Sequence, residues 1–101
     1  MSRSDFFYKL SGASEVDLGD IFDYTFTEFG IEQAEKYTLE FEIVFEELVR
    51  YPELGVKRDE IKIGLRSILK ESHIIFYRIL SDRIRIVRIL HQRKDLQQFR
   101  E

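Results

Sequence analysis

Cysteine is absent from the 101 residues, which excludes a disulfide framework, a thiolate nucleophile and any cysteine-ligated zinc or iron–sulfur site. Histidine occurs twice, at His73 and His91, with no third ligand near either at metal spacing, so the reading contains no metal and no cofactor. The five glycines are scattered, and none sits in a strand-to-helix phosphate loop. Serine-nucleophile motifs are also missing. No apolar run approaches the roughly 20 residues needed to cross a bilayer, and the opening Met1-Ser2-Arg3-Ser4-Asp5 lacks the apolar core of a signal peptide. The expectation is one cytoplasmic domain over 1–101 with no membrane partner.

What the chain has in quantity is β-branched and aromatic residues late in the sequence, and charge throughout. In 71–91, two runs rich in Ile, Val, Phe and Tyr meet at Ser81-Asp82, which predicts a β-hairpin. One face of the first arm carries Ile75, Tyr77 and Ile79 and the other Ile74, Phe76 and Leu80, the pattern of a central strand covered on both sides. In the second arm strict alternation groups Ile84, Ile86, Arg88 and Leu90 against Arg83, Arg85, Val87, Ile89 and His91. Helices can cover one of these faces, which leaves a basic, partly apolar face on the other. The charge is split along the chain: residues 1–56 hold 4 basic and 13 acidic side chains, residues 57–101 hold 12 and 6. A two-sided charge of this kind suits an acidic partner for the basic half.

Taken in order, Phe6-Phe7-Tyr8-Lys9-Leu10 predicts an initial strand that stops at Ser11-Gly12. Ser14 reads as a helix N-cap, with the helix starting about Glu15 and burying Leu18, Ile21, Phe22, Thr25 and Phe29. Gly30 breaks that helix. A second follows over 31–51, with Ala34, Tyr37, Phe41, Phe45 and Leu48 on its core face, and Pro52 ends it. Residues 52–60 read as a turn and a charged loop, 65–69 as a strand and 70–72 as the turn into the hairpin. The polar stretch after His91 reads as a short helix or a frayed segment. The order is β-α-α-β-β-β.

One catalytic constellation is compatible with these residues. Metal-free RNA cleavage needs a proton-transfer group, phosphate-holding cations and a surface for a base; His91, the pair Arg66 and Arg88, and Tyr77 are the candidates. Each has an ordinary structural use as well, Tyr77 in the core, Arg88 in an ion pair and His91 at a hydrogen-bonded strand end.

The sequence as a whole resembles a known family. Asp17-Leu18 with Ile21 and Tyr24, Phe29-Gly30 with Ala34 and Tyr37, Pro52 with Leu54-Gly55, and Gly64-Leu65-Arg66 resemble the ParE toxins of bacterial toxin–antitoxin systems. So do the segments 72–78 and 86–91, followed by Asp95, and the likeness runs from about Leu10 to Asp95. It implies an α+β, RelE/ParE-like fold, a helical hairpin packed on a small antiparallel sheet. It also implies a non-enzymatic toxin that inhibits DNA gyrase and is neutralised by a ParD-like antitoxin whose C-terminal segment wraps it. Operator DNA would be contacted only through the antitoxin. RelE-like relatives instead cleave messenger RNA on the ribosome with a dense set of lysines and arginines. Here the candidates thin to Arg66, Arg88 and His91, so gyrase inhibition is favoured over the endoribonuclease and over a degenerate toxin that only binds antitoxin.

Contact residues follow from charge. A disordered acidic amphipathic antitoxin segment would bury apolar area and match the basic face, with Arg66, Arg78, Arg85 and Arg88 as its contact candidates. His91, Arg93 and Lys94 are the target-binding candidates. Lys94 stands where ParE-like sequences often have Met.

Overall fold

The computed structural model describes residues 5–93 together with Gln97, Phe99 and Glu101. Its first strand, β1 (Phe7–Leu10), runs into helix α1 (Gly12–Phe29) through Ser11. The helix starts three residues earlier than Ser14 would have it, because Ser11 is the cap: its hydroxyl oxygen accepts from the Ser14 N–H at 3.0 Å and donates to Val87 O at 2.8 Å. Ser14 is buried inside the first turn, its Oγ 3.0 Å from Ile86 O. Ile21 and Thr25 are buried as expected, and Leu18 packs at the margin of the core. Phe29, expected in the core, is 69% exposed, because Gly30 turns the chain before its face can meet the sheet.

Gly30, at φ +92°, joins α1 to α2 (Ile31–Arg50) in a left-handed conformation that glycine adopts without steric cost. The five core positions expected on α2, Ala34, Tyr37, Phe41, Phe45 and Leu48, are the five that are buried. Pro52 closes it with a short 3₁₀ turn, Pro52–Leu54. No helix among the described residues is long and apolar enough to cross a membrane.

Four further strands follow: β2 (Val56–Lys57), β3 (Arg66–Lys70), β4 (His73–Ile79) and β5 (Arg83–His91). They form one five-stranded sheet in the order β1-β5-β4-β3-β2. Two features differ from the expected small antiparallel sheet. The two-residue β2 pairs with β3 inside what reads as a charged loop, and β1 lies parallel to β5, so the sheet is mixed. The hairpin β4–β5 is as expected, closed by Leu80 N–H donating to Arg83 O at 2.8 Å.

A bulge in β5 corrects the expected faces. Phe76 is opposite Arg88 and Tyr77 opposite Ile86, so Val87 is an extra residue and the alternation shifts there. Ile84, Ile86 and Ile89 therefore share the helix-covered core with Ile75, Tyr77, Phe41 and Phe45. Val87 and Leu90 join Ile74, Phe76 and Leu65 in a second, smaller core on the other face. Strict period two had placed Ile89 with the arginines and Leu90 with Ile84.

Candidate partner-binding surface

The sheet face turned away from the helices carries the cations. In the register of three adjacent strands, Lys9 of β1 is opposite Arg85 of β5, and Arg85 is opposite Arg78 of β4. Residues in register project to the same side of a sheet, and like charges directly opposite one another destabilise it. Arg83 lies two residues from Arg85 on the same face, beside the half-exposed Phe7. Of this group Arg78 has a full carboxylate partner, Glu101, at 2.8 Å. Arg83 meets the adjacent Asp82 at 3.0 Å, while its Nε is buried with no acceptor among the described residues. Lys9 and Arg85 are exposed and have no carboxylate partner there. A cationic row across three strands, edged by the half-exposed Phe7, is able to bind an acidic and partly apolar segment.

The face is not wholly open. Residues 58–65 and the side chain of Phe99 lie over its far half, with Phe99 stacked edge-on to Phe76 at 4.7 Å and Leu65 fully buried. Arg58 extends over the Phe76 ring, 5.8 Å from its centroid, and reaches Ser67 Oγ at 3.1 Å.

Three of the four arginines expected to contact an antitoxin, Arg78, Arg85 and Arg88, belong to this face by register. Arg88 is turned to α1, where its Nε and Nη2 donate to the two oxygens of Asp17 at 2.7 and 2.9 Å. Arg66 is elsewhere. It is opposite Tyr77, and its Nη1 donates to Gly55 O at 2.7 Å, which pins the 3₁₀ turn. Sequence reasoning grouped Arg83 with Arg85 on the basic face but missed Lys9 as a member of the row; the pairing of β1 with β5 spans most of the chain, and no local pattern signals it.

The residues considered for RNA cleavage are dispersed. Tyr77 is fully buried, so its role as a base-stacking surface is overturned. Its hydroxyl donates to Pro52 O at 2.6 Å and accepts from the Gly55 N–H at 2.8 Å, and burial pushes its phenol above the ordinary range. His91 sits at the opposite end of the hairpin, its ring 5.4 Å from that of His73 and its Nδ1 accepting from the Arg93 N–H at 3.1 Å. Both histidines line an open groove of about 760 Å³ between the helical hairpin and the end of the sheet, with Tyr24, Phe29 and Tyr37 as aromatic walls. Among the described residues that line it, the charged ones are Asp17, Asp20 and Glu71, with no lysine or arginine. The Tyr37 hydroxyl lies 3.0 Å from His73 Nδ1; burial first, then Glu71 and Glu40, push its phenol up to about 12. Among the described residues no group of three or more metal-ligating side chains comes together. Arg93 is exposed beside His91, and Lys94 lies outside the described residues.

Comparison with known proteins gives a consistent picture. Residues 8–96 match the model of a family described as the ParE toxin of the type II toxin–antitoxin system parDE. The chain is 38% identical over 90 residues to Toxin ParE1 of Mycobacterium tuberculosis, covering 88% of this chain and 92% of that protein. It is 35% identical over 85 residues to Toxin ParE1 of Caulobacter vibrioides, covering 84% and 88%. Its fold is similar to a chain from the chromosomal ParDE system of P. aeruginosa, with a TM-score of 0.76 at 23% identity over 89% of this chain and 98% of that one.

Proposed function

The chain belongs to the ParE toxin family of type II toxin–antitoxin systems, and from that membership we propose that it arrests growth by binding and inhibiting DNA gyrase and that a ParD-like antitoxin neutralises it. The observation that carries this over messenger cleavage is the groove around His91. Phosphoryl chemistry needs cations where charge builds on the phosphate; among the described residues that line this groove the charges are the carboxylates of Asp20 and Glu71, while Asp17 is neutralised by Arg88. With Arg88 tied to Asp17, Arg66 tied to the 3₁₀ turn and Tyr77 buried, the side chains that would have made a nuclease serve the fold.

The antitoxin reading rests on the basic face. An acidic amphipathic segment laid across Lys9, Arg85 and Arg78 relieves their mutual repulsion and covers the apolar margin, which gives both affinity and a fast encounter. Contact with operator DNA is assigned to the antitoxin, since the outward surface of α2 is acidic, with Glu32, Glu35, Glu42 and Glu46 exposed.

The test is a gyrase supercoiling assay with purified protein. Loss of supercoiling with accumulation of cleaved DNA, both reversed by the antitoxin, is the expected result. Intact supercoiling alongside growth arrest and ribosome-dependent messenger cleavage would overturn it.

A further inference from the structure

One carboxylate on the basic face is held by more groups than a surface ion pair requires. Arg78 Nε and Nη2 donate to the two oxygens of Glu101, each at 2.8 Å, in the planar two-point geometry that suits a carboxylate. Lys62 Nζ approaches the same carboxylate at 3.0 Å. The third edge of the guanidinium is fixed by donation from Nη1 to Ile63 O at 2.8 Å. Gly64 makes this approach possible: at φ +85° it is in the region glycine favours, and a Cβ there would stand 2.9 Å from Arg78 Nη1. The loop is closed by the Gly64 N–H donating to Asp59 Oδ1 at 3.0 Å. Next to this pocket the Phe99 ring meets the buried Phe76 at 4.7 Å.

We propose that Lys62, Ile63, Gly64, Phe76 and Arg78 form a receptor for a peptide element with an aromatic residue two positions before an acid, filled in this structure by the chain's own Phe99 and Glu101, and that an acidic segment of a partner protein enters by replacing them. Every receptor group comes from the loop before β3 or from β4, so the site is built without help from its occupant. The occupant's chemistry defines what the site takes.

Charge supplies the reason for exchange. Within the row Glu101 reaches only Arg78, with Lys62 beside it, while Arg85 and Lys9 continue the cationic row beyond its reach. A partner segment with several carboxylates neutralises the whole row and displaces a single one. This deepens the antitoxin reading, which supplies the partner's identity; the exchange itself is tested with neither antitoxin nor gyrase present, so failure of one does not imply failure of the other.

The experiment uses the full chain and a synthetic acetylated peptide, Gln-Gln-Phe-Arg-Glu, titrated by chemical-shift perturbation. The Phe99→Ala/Glu101→Gln variant, with its receptor vacated, is expected to bind the peptide saturably and at least ten-fold more tightly than the wild type. Adding Arg78→Gln, or replacing the peptide's glutamate by glutamine, is expected to weaken that binding at least ten-fold. Glu101→Gln alone keeps the aromatic contact, and so the fold, and should give an intermediate affinity. Equal binding to wild type and vacated variants, no binding to either variant, or binding that survives Arg78→Gln would each overturn the proposal.

Discussion

Tyr77 shows how one residue type in one strand divides between chemistry and architecture. Its aromatic ring is in the main core, and its hydroxyl holds the turn after α2 by two hydrogen bonds. Tyr77→Phe leaves Gly55 N–H and Pro52 O without that partner and should cost about 1–3 kcal/mol in denaturant unfolding, while the proposed gyrase inhibition, measured per folded molecule, stays unchanged. Gly55 is packed so closely that a Cβ would stand 2.7 Å from Ser67 O and from the Tyr77 ring. Gly55→Ala should therefore destabilise by about 1–3 kcal/mol through overpacking, read in the same unfolding experiment. Glu101 gives the pH dependence. Arg78 first, with Lys62, holds its carboxyl down at about 2. A depressed carboxyl contributes stability that is complete above its unfolded value and lost as pH falls through the folded one. The Glu101 contact should thus persist from neutral pH to below pH 4 and open only as the pH approaches about 2, followed by the chemical shift of the Arg78 Nε–H. Glu101→Gln should abolish that transition.

Among the elements, the contact between α1 and β5 is the one that local periodicity could least reveal. Beyond Ile86 the parallel partner β1 ends, and the first turns of α1 take over its place: Ser11 and Ser14 reach Val87 O and Ile86 O, and Asp17 accepts from the Ile89 N–H at 2.9 Å while pairing with Arg88. The extra residue Val87 is what presents these groups to the helix. Asp17→Ala should cost about 1.5–3 kcal/mol, since it removes charged hydrogen bonds from a mostly buried pair. In a double-mutant cycle with Arg88→Ala the two losses should fall short of additivity. The helices themselves were legible in the sequence, because α2 packs one continuous stripe against a single surface and Pro52 and Gly30 mark its ends. Phe29 was misread because periodicity says nothing about where the opposing surface stops. The parallel pairing of β1, the short β2 and the bulge were not legible, because each depends on a strand far away along the chain. The basic arginines could be assembled from sequence as far as the hairpin reaches, and no further, which is why Lys9 was missed.

Across the whole molecule the charge split becomes a spatial one, with acids on the outer surface of the helices and cations across the opposite sheet face. Such a surface costs the free protein stability, since Lys9, Arg85 and Arg78 are adjacent in register. If that repulsion is relieved by an acidic partner, neutralising the row must move two measurements in opposite directions. Lys9→Gln and Arg85→Gln should each raise the unfolding free energy by about 0.2–1 kcal/mol, the range for cross-strand pairs. The same substitutions should slow association with the antitoxin, by roughly ten-fold for the pair at low ionic strength, because electrostatic steering sets the encounter rate. The difference between variant and wild type should shrink as salt shortens the screening length to about 8 Å near 0.15 M. A gain in stability with unchanged association would mean that the row repels itself without serving the partner. Loss of both would make these cations structural, and would move the antitoxin to the acidic groove at the other end of the sheet.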